Sequence, residues 1–333
     1  MKKQTKKIIQ LVERFSRKKV AVWGDFILDE FIYGNTRRIS REAPVLILSY
    51  KNREYKLGGA GNALLNLKAL EAQPYPVGIV GQDDAGDKIL QILHQHGLST
   101  DYIIRDKNYR TPIKTRILAG EQTAQKQQIL RIDKETRVPN SRDIEIQLQN
   151  YLKELRTHVR AFLISDYNYL TVKENVFKRI LNLYKNRQIP VILDSRYRLL
   201  NFKGITISTP NEPEVENCLQ IKLNDDEKTL NKAGRTLLKK TEGTAVLITR
   251  GSKGMVLYEK RKPAFEIPIH GTKDIVDVTG AGDTVASILS LALASGSGFK
   301  EASLLSNVGA NRVVMKKGPA TLSLLELKDS LKT

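Results

Sequence analysis

Apolar positions along the chain fall into two alternating rhythms. Short, nearly continuous apolar runs read as buried strands: 18–25 (KKVAVWGD), 75–81 (YPVGIVG), 160–166 (RAFLISD), 189–194 (IPVILD), 205–210 (ITISTP) and 244–251 (TAVLITRG). Between them, 61–72, 83–97, 172–186 and 227–240 carry apolar residues at helical spacing, and the second of these is expected to stop at Gly97. A basic helix precedes the first strand. Strands alternating with helices predict an α/β fold, a three-layer core with a mostly parallel sheet covered on both faces. Ligands in such sheets sit beyond the C-terminal strand ends, where Asp25, Asp166, Asp194, Asn211 and Thr249 fall.

Two segments break the rhythm. Residues 43–57 (APVLILSYKNREYKL) and 101–135 read as consecutive strands with turns and no helix between them. They predict a small second sheet, a lid built from about 31–57 and 101–135, beside the ligand edge of the core. No internal repeat is evident.

Composition narrows the function classes. An apolar fraction of 41% in 333 residues supports a sizeable core without a disordered tract. The longest nearly apolar stretch, 285–294, contains two serines and is too short to cross a bilayer. The N-terminus has lysines but no apolar core of a signal peptide, and the single cysteine, Cys218, excludes an internal disulfide. Both features suit the cytoplasm. The net charge of +19 would serve an anionic partner or simply a solvated surface. Its lysines and arginines are scattered over the chain rather than gathered in a single basic helix, and there is no aromatic platform or zinc-finger spacing, so nucleic acid and membrane are not expected partners.

The chemistry-bearing pattern is 277–285 (DVTGAGDTV), directly before an apolar helix. Gly280, Ala281 and Gly282 place free backbone N–H groups and a positive helix end where an anion can bind. Asp283 then stands within reach of that anion, as a general base should, or else it merely caps the helix. The turn 58–62 (GGAGN) is a second glycine-rich helix opening, but Leu64 stands where a dinucleotide fingerprint needs its third glycine. Asp25, in GDFILD, leaves the first strand as a hydroxyl acceptor or as a turn residue. In 209–216 (TPNEPEVE), Asn211 caps a helix, or Asn211 and Glu214 reach a magnesium ion through water. The chain carries no HExxH, CxxC or GxSxG motif.

Taken in order, GD at Asp25, GGAGN, TPNEPE, 249–254 (TRGSKG) and above all DVTGAGD make the chain similar to the ribokinase-like (phosphofructokinase B) carbohydrate kinases over roughly 19–330. Within that family, 37–45 (RRISREAPV), IKTRIL and ILRID resemble the domain of ADP-heptose synthesis that phosphorylates D-glycero-β-D-manno-heptose 7-phosphate at its anomeric hydroxyl.

The resemblance implies a single ribokinase-like kinase domain over 1–333, without the nucleotidyltransferase domain of fused relatives. It implies ATP, Mg2+ and a sugar as ligands, with Asp283 as base and the Gly280–Gly282 amides as anion hole. Asp25, Gly58, Gly59, Asn62 and Asp166 would hold the sugar, and Lys114, Arg116 and Arg131 a sugar phosphate. Asn211, Glu214, Asp194, Arg196, Thr249, Gly251, Gly254 and Asn307 would line the nucleotide, with Glu214 on Mg2+ through water and Asp277 and Thr279 beside a K+ ion. A homodimer through the lid would cover its exposed strand edges.

The chain departs from the heptose-kinase pattern at three points. SDYNYL lacks a lysine, DSRYRL has Arg196 in place of lysine, and Arg41 replaces a proline. These changes leave open another sugar, sugar phosphate or nucleoside as substrate. A non-catalytic sugar, nucleotide or nucleic-acid binder on the same fold is the remaining alternative.

Overall fold

The computed structural model describes residues 2–120, 126–270, 279–316 and 320–332. Helix α1 (Lys2–Glu13) leads into β1 (Lys19–Gly24), and the chain continues through β2 (Phe26–Ile39), β3 (Leu46–Gly59), α2 (Ala60–Ala69), β4 (Gln73–Gly81), α3 (Asp84–Gln95) and β5 (Ile103–Asp106). After β6 (Ile113–Gly120) and β7 (Gln127–Lys134) come α4 (Arg142–Leu155), β8 (Ala161–Asp166), α5 (Glu174–Lys185), β9 (Val191–Ser195), β10 (Ile207–Ser208), α6 (Glu212–Leu219) and α7 (Glu227–Thr241). The last third holds β11 (Ala245–Thr249), β12 (Met255–Glu259), β13 (Phe265–Ile267), α8 (Ala281–Ala294), α9 (Phe299–Val314) and α10 (Leu324–Ser330).

Among the described residues, nine strands form the large sheet in the order β13-β12-β11-β10-β9-β8-β1-β4-β5. Every pairing from β5 to β11 is parallel, and β12 and β13 add an antiparallel edge. Alternate side chains of the central strands feed two cores, as the period of two requires. Val20 and Val22 of β1 join the core beneath α2, α8 and α9. Ala21 and Trp23 join the one beneath α4, α5 and α7, where Trp23 stacks on Phe162 and Phe162 on Tyr184. This is the expected three-layer arrangement. Asp83 caps α3 by accepting the Gly86 N–H, and Gly97 follows the helix in the left-handed region at φ 65°, which ends it where the sequence predicts.

The second sheet has the order β3-β2-β6-β7 and covers the C-terminal edge of the core. Its membership corrects the expected lid. Ile103 and Ile104, inside the 101–135 segment, belong to β5, which pairs with β4 in the large sheet. Each of these isoleucines is buried in a different core, a two-sided burial that a lid strand with one wet face does not offer. The lid also starts earlier than expected, because β2 leaves β1 after Asp25 alone. No helix among the described residues is long and apolar enough to cross a membrane.

Candidate active site

The cleft between the large sheet and the lid has a volume of about 470 Å³. Helix α8 supplies its chemical wall. Gly280 precedes the helix at φ 83°, and a Cβ there would lie 2.7 Å from Asn62 Nδ2, so glycine is needed on both counts. A Cβ on Gly282 would meet nothing, which leaves the backbone of this turn open to a ligand. The helix has no side-chain cap, and Asp283 makes no capping bond, so the capping reading of Asp283 does not hold. Its carboxylate faces the cleft instead, 5% exposed.

Two groups from distant parts of the chain hold that carboxylate. Asn62 Nδ2 donates to Oδ2 at 2.7 Å, and the Tyr167 hydroxyl donates to Oδ1 at 3.4 Å. Burial holds the tyrosine in its protonated, donating form. Burial, and then the charge of Asp194, push the pKa of Asp283 up to about 7, while Asn62, Arg196 and Tyr167 oppose the rise. The result is a carboxylate that can take and return a proton near neutral pH. Thr284, next in α8, donates to Asn66 Oδ1 at 2.9 Å and so ties this turn to α2.

Of the residues expected to hold the sugar, Gly58, Gly59 and Asn62 line the cleft, and Asp25 does not. Asp25 is fully buried and accepts the backbone N–H groups of Tyr167 at 2.7 Å, Tyr169 at 3.1 Å and Thr171 at 3.0 Å. It braces the 167–171 loop, and burial with the nearby Asp166 charge raises its pKa. Asp29, four residues on, is the carboxylate of this segment that reaches the cleft. It lines the cleft beside Ile27 and against Gly58, where a Cβ would come within 2.5 Å of its carboxylate. The signal was present in the sequence, since the period of two along β2 turns residues 27 and 29 to one face. Asp166 borders the cleft, but its carboxylate already accepts Ser195 Oγ at 2.6 Å and pairs with Arg198. Lys114, Arg116 and Arg131 all line the cleft; Arg116 pairs with Asp29 at 2.5 Å and Arg131 with Asp133 at 2.9 Å.

The cleft is also lined by Asp194, Arg196, Asn211, Glu214, Thr249, Gly251, Gly254 and Asn307, the residues expected along the nucleotide. Asn211 and Glu214 form a capping box, each side chain accepting the other's backbone N–H at 2.9 Å. The capping reading of Asn211 is therefore real, and it coexists with a place in the cleft. Burial and the neighbouring Asp194 raise the pKa of Glu214, and burial raises that of Asp194 against the pull of Arg196. Two carboxylates so poorly neutralised suit a divalent cation arriving with phosphates. No group of three His, Cys, Asp or Glu side chains among the described residues could hold a metal alone, so such an ion would draw its other ligands from phosphate and water. Asn307 Nδ2 donates to the Pro268 carbonyl at 2.8 Å. Thr279 lines the cleft, and Asp277 lies outside the described residues. Tyr167, bonded to Asp283 and lining the same cleft, is a site residue that sequence reasoning missed.

A family model described as pfkB family carbohydrate kinase matches residues 17–326. The chain is 36% identical over 311 residues to the bifunctional protein HldE of Geobacter sulfurreducens, an alignment covering 93% of this chain and 62% of that protein. The chain therefore spans less than two thirds of that relative's length. Among solved structures, Arabidopsis thaliana ribokinase complexed with ribose and ATP superposes with a TM-score of 0.71 at 21% identity, covering 96% of this chain and 99% of that one. Escherichia coli phosphofructokinase-2 in complex with fructose-6-phosphate gives 0.74 at 15% identity, covering 95% and 98%. These two likenesses establish a ribokinase-like fold. By its family match, the chain belongs to the pfkB family of carbohydrate kinases.

Proposed function

We propose that this kinase transfers the γ-phosphoryl group of ATP to the anomeric oxygen of D-glycero-β-D-manno-heptose 7-phosphate, in the cytoplasm. The observation that carries the transfer is the α8 turn, where a buried carboxylate with a pKa near 7 sits beside unobstructed backbone N–H groups. Asp283 takes the proton of the attacking hydroxyl. The new O–P bond forms as the bond from the γ-phosphorus to the β–γ bridging oxygen breaks, and ADP leaves. The amides of Gly280–Gly282 steady the negative charge on the phosphoryl group in transit, and positioning with electrostatics supplies most of the rate.

Asp29, Gly58, Gly59 and Asn62 hold the sugar, with Asn62 also fixing the base. Thr249, Gly251, Gly254 and Asn307 line the nucleotide. Bound magnesium neutralises phosphate charge, and Glu214, braced by Asn211, would hold it through water. Thr279 would stand beside a potassium ion. The heptose rests on the motifs shared with the heptose-kinase subgroup and on the similarity to HldE proteins.

The working unit is a homodimer joined through the lids. Ile39 (64% exposed), Tyr50 (63%) and Leu130 (51%) place large apolar surface on the small sheet, and a second lid would cover it. One kinase domain per chain, built on both sheets, completes the reading.

A panel of sugars and sugar phosphates assayed for ADP release, with phosphorus NMR of the product, tests the assignment. The expected result is strongest turnover on the heptose phosphate and a new anomeric phosphate. A product phosphorylated elsewhere, or preference for another sugar, overturns the substrate while leaving the kinase.

A further inference from the structure

A second cavity, of about 600 Å³, adjoins the cleft and shares Lys114, Tyr167 and Arg196 with it. Most cations nearby are already engaged. Arg116 is held by Asp29, Arg131 by Asp133 and Arg198 by Asp166. Lys114, from the lid strand β6, and Arg196, from the loop after β9, are different. Among the described residues, neither side chain has a carboxylate or carbonyl within bonding distance. Arg196 lies over the Tyr167 ring, 5.0 Å from its centre. Arg137 adds a third, exposed cation to the same cavity. Among the described residues the one carboxylate lining that cavity, Glu135, accepts the Tyr169 hydroxyl at 2.5 Å.

Two like charges brought together from separate elements, neither in a close ion pair, repel, and the half-buried Lys114 is also desolvated. Burial and then the Arg196 charge lower the pKa of the Lys114 ammonium. An anion between them removes both penalties, and a guanidinium edge with an ammonium is a suitable donor set for a phosphate monoester. Tyr167 links this place to the chemistry, with its hydroxyl on Asp283 and its ring beneath Arg196.

Building on the sugar-phosphate reading above, we infer that the second cavity is the subsite for the substrate's non-reacting phosphate. Lys114 and Arg196 are its ligands and Arg137 stands at its mouth, while the hydroxyl to be phosphorylated reaches Asp283. Arg196 thereby serves the sugar rather than the nucleotide, and Arg116 and Arg131 act on other groups.

The test is steady-state kinetics of the full chain on the heptose 7-phosphate and on the same heptose without phosphate, with KM for ATP measured in parallel. Lys114→Met and Arg196→Gln are each expected to raise KM for the phosphorylated sugar about ten- to hundredfold, the loss of one charge-assisted contact. KM for ATP should move far less, and Lys114→Arg should recover much of the loss. Inorganic phosphate should compete with the sugar phosphate and not with ATP in the unsubstituted protein, and compete poorly in the two variants. If KM for ATP rises and that for the sugar phosphate does not, the cations serve the nucleotide and the inference falls. If the substrate is another phosphorylated sugar, the same comparison on that pair upholds the subsite although the heptose is lost. If the accepted sugar carries no phosphate, the subsite falls while the kinase stands.

Discussion

Asp283→Asn removes the titrating group at the α8 turn while keeping an oxygen that can accept the Asn62 Nδ2 hydrogen bond. Its first effect is on turnover. Loss of a positioned general base lowers kcat by about 10²–10⁴, or roughly 3–5 kcal/mol of barrier. The second effect runs the other way. The carboxylate's pKa rises from 3.8 to about 7 on folding, about three units, which at roughly 1.36 kcal/mol per unit is ~4 kcal/mol. Because the folded value is the higher one, the protonated group favours the folded state at low pH. That contribution is fully present below about pH 4 and is lost as pH rises through about 7.

Asparagine does not titrate, so the variant should be more stable than the parent at pH 8, by up to ~4 kcal/mol, and nearly equal to it at pH 4. ADP-release assays give kcat, and urea unfolding of the unliganded protein at the two pH values gives the stability difference. In the parent, kcat/KM should climb with pH through about 7 as the base loses its proton. Full turnover in the variant would remove Asp283 as base. A stability difference that does not grow between pH 4 and pH 8 would refute the burial argument behind its pKa.

The two aspartates of GDFILD should separate cleanly. Asp25→Asn turns an acceptor oxygen into a donor facing buried backbone N–H groups of the 167–171 loop, and should cost about 1–3 kcal/mol in urea unfolding. Asp29→Asn should mainly raise KM for the sugar, about tenfold or more; a stability loss for Asp29 equal to that of Asp25, with KM unchanged, would reverse their roles. At the lid, Leu130→Lys and Ile132→Lys place charge on exposed apolar positions and should convert a dimer to monomer in light scattering after size exclusion. A parent protein that is already monomeric at assay concentration would refute the lid interface.

Much of the fold was legible because its signals are local. The continuous apolar runs in 18–25 and 160–166, the helical spacing in 83–97 and the stop at Gly97 depend on neighbours a few residues away. So does the turn at Gly280–Gly282 proposed to bind an anion, since a helix N-terminus presents free N–H groups whatever packs around it. The placement of Asp194, Asn211 and Thr249 at strand ends followed from the same local alternation once the sheet was taken as parallel. Ile103 and Ile104 escaped this reasoning, because two apolar residues in a row look alike in a lid strand and in an edge strand buried on both faces.

The sequence by itself thus determined the class of fold and the glycine-rich turn before α8 on which the proposed base stands. Tertiary structure alone decided which groups the cleft leaves available. Asn62 meets Asp283 across 221 residues of chain, and Tyr167 reaches it from the end of β8. Asp25 is consumed by three backbone N–H groups, and Asp29 lines the cleft. Lys114 stays free where Arg116 and Arg131 are paired. The reason is physical: the availability and pKa of a polar group depend on burial and on partners from distant segments, and local periodicity carries no record of either.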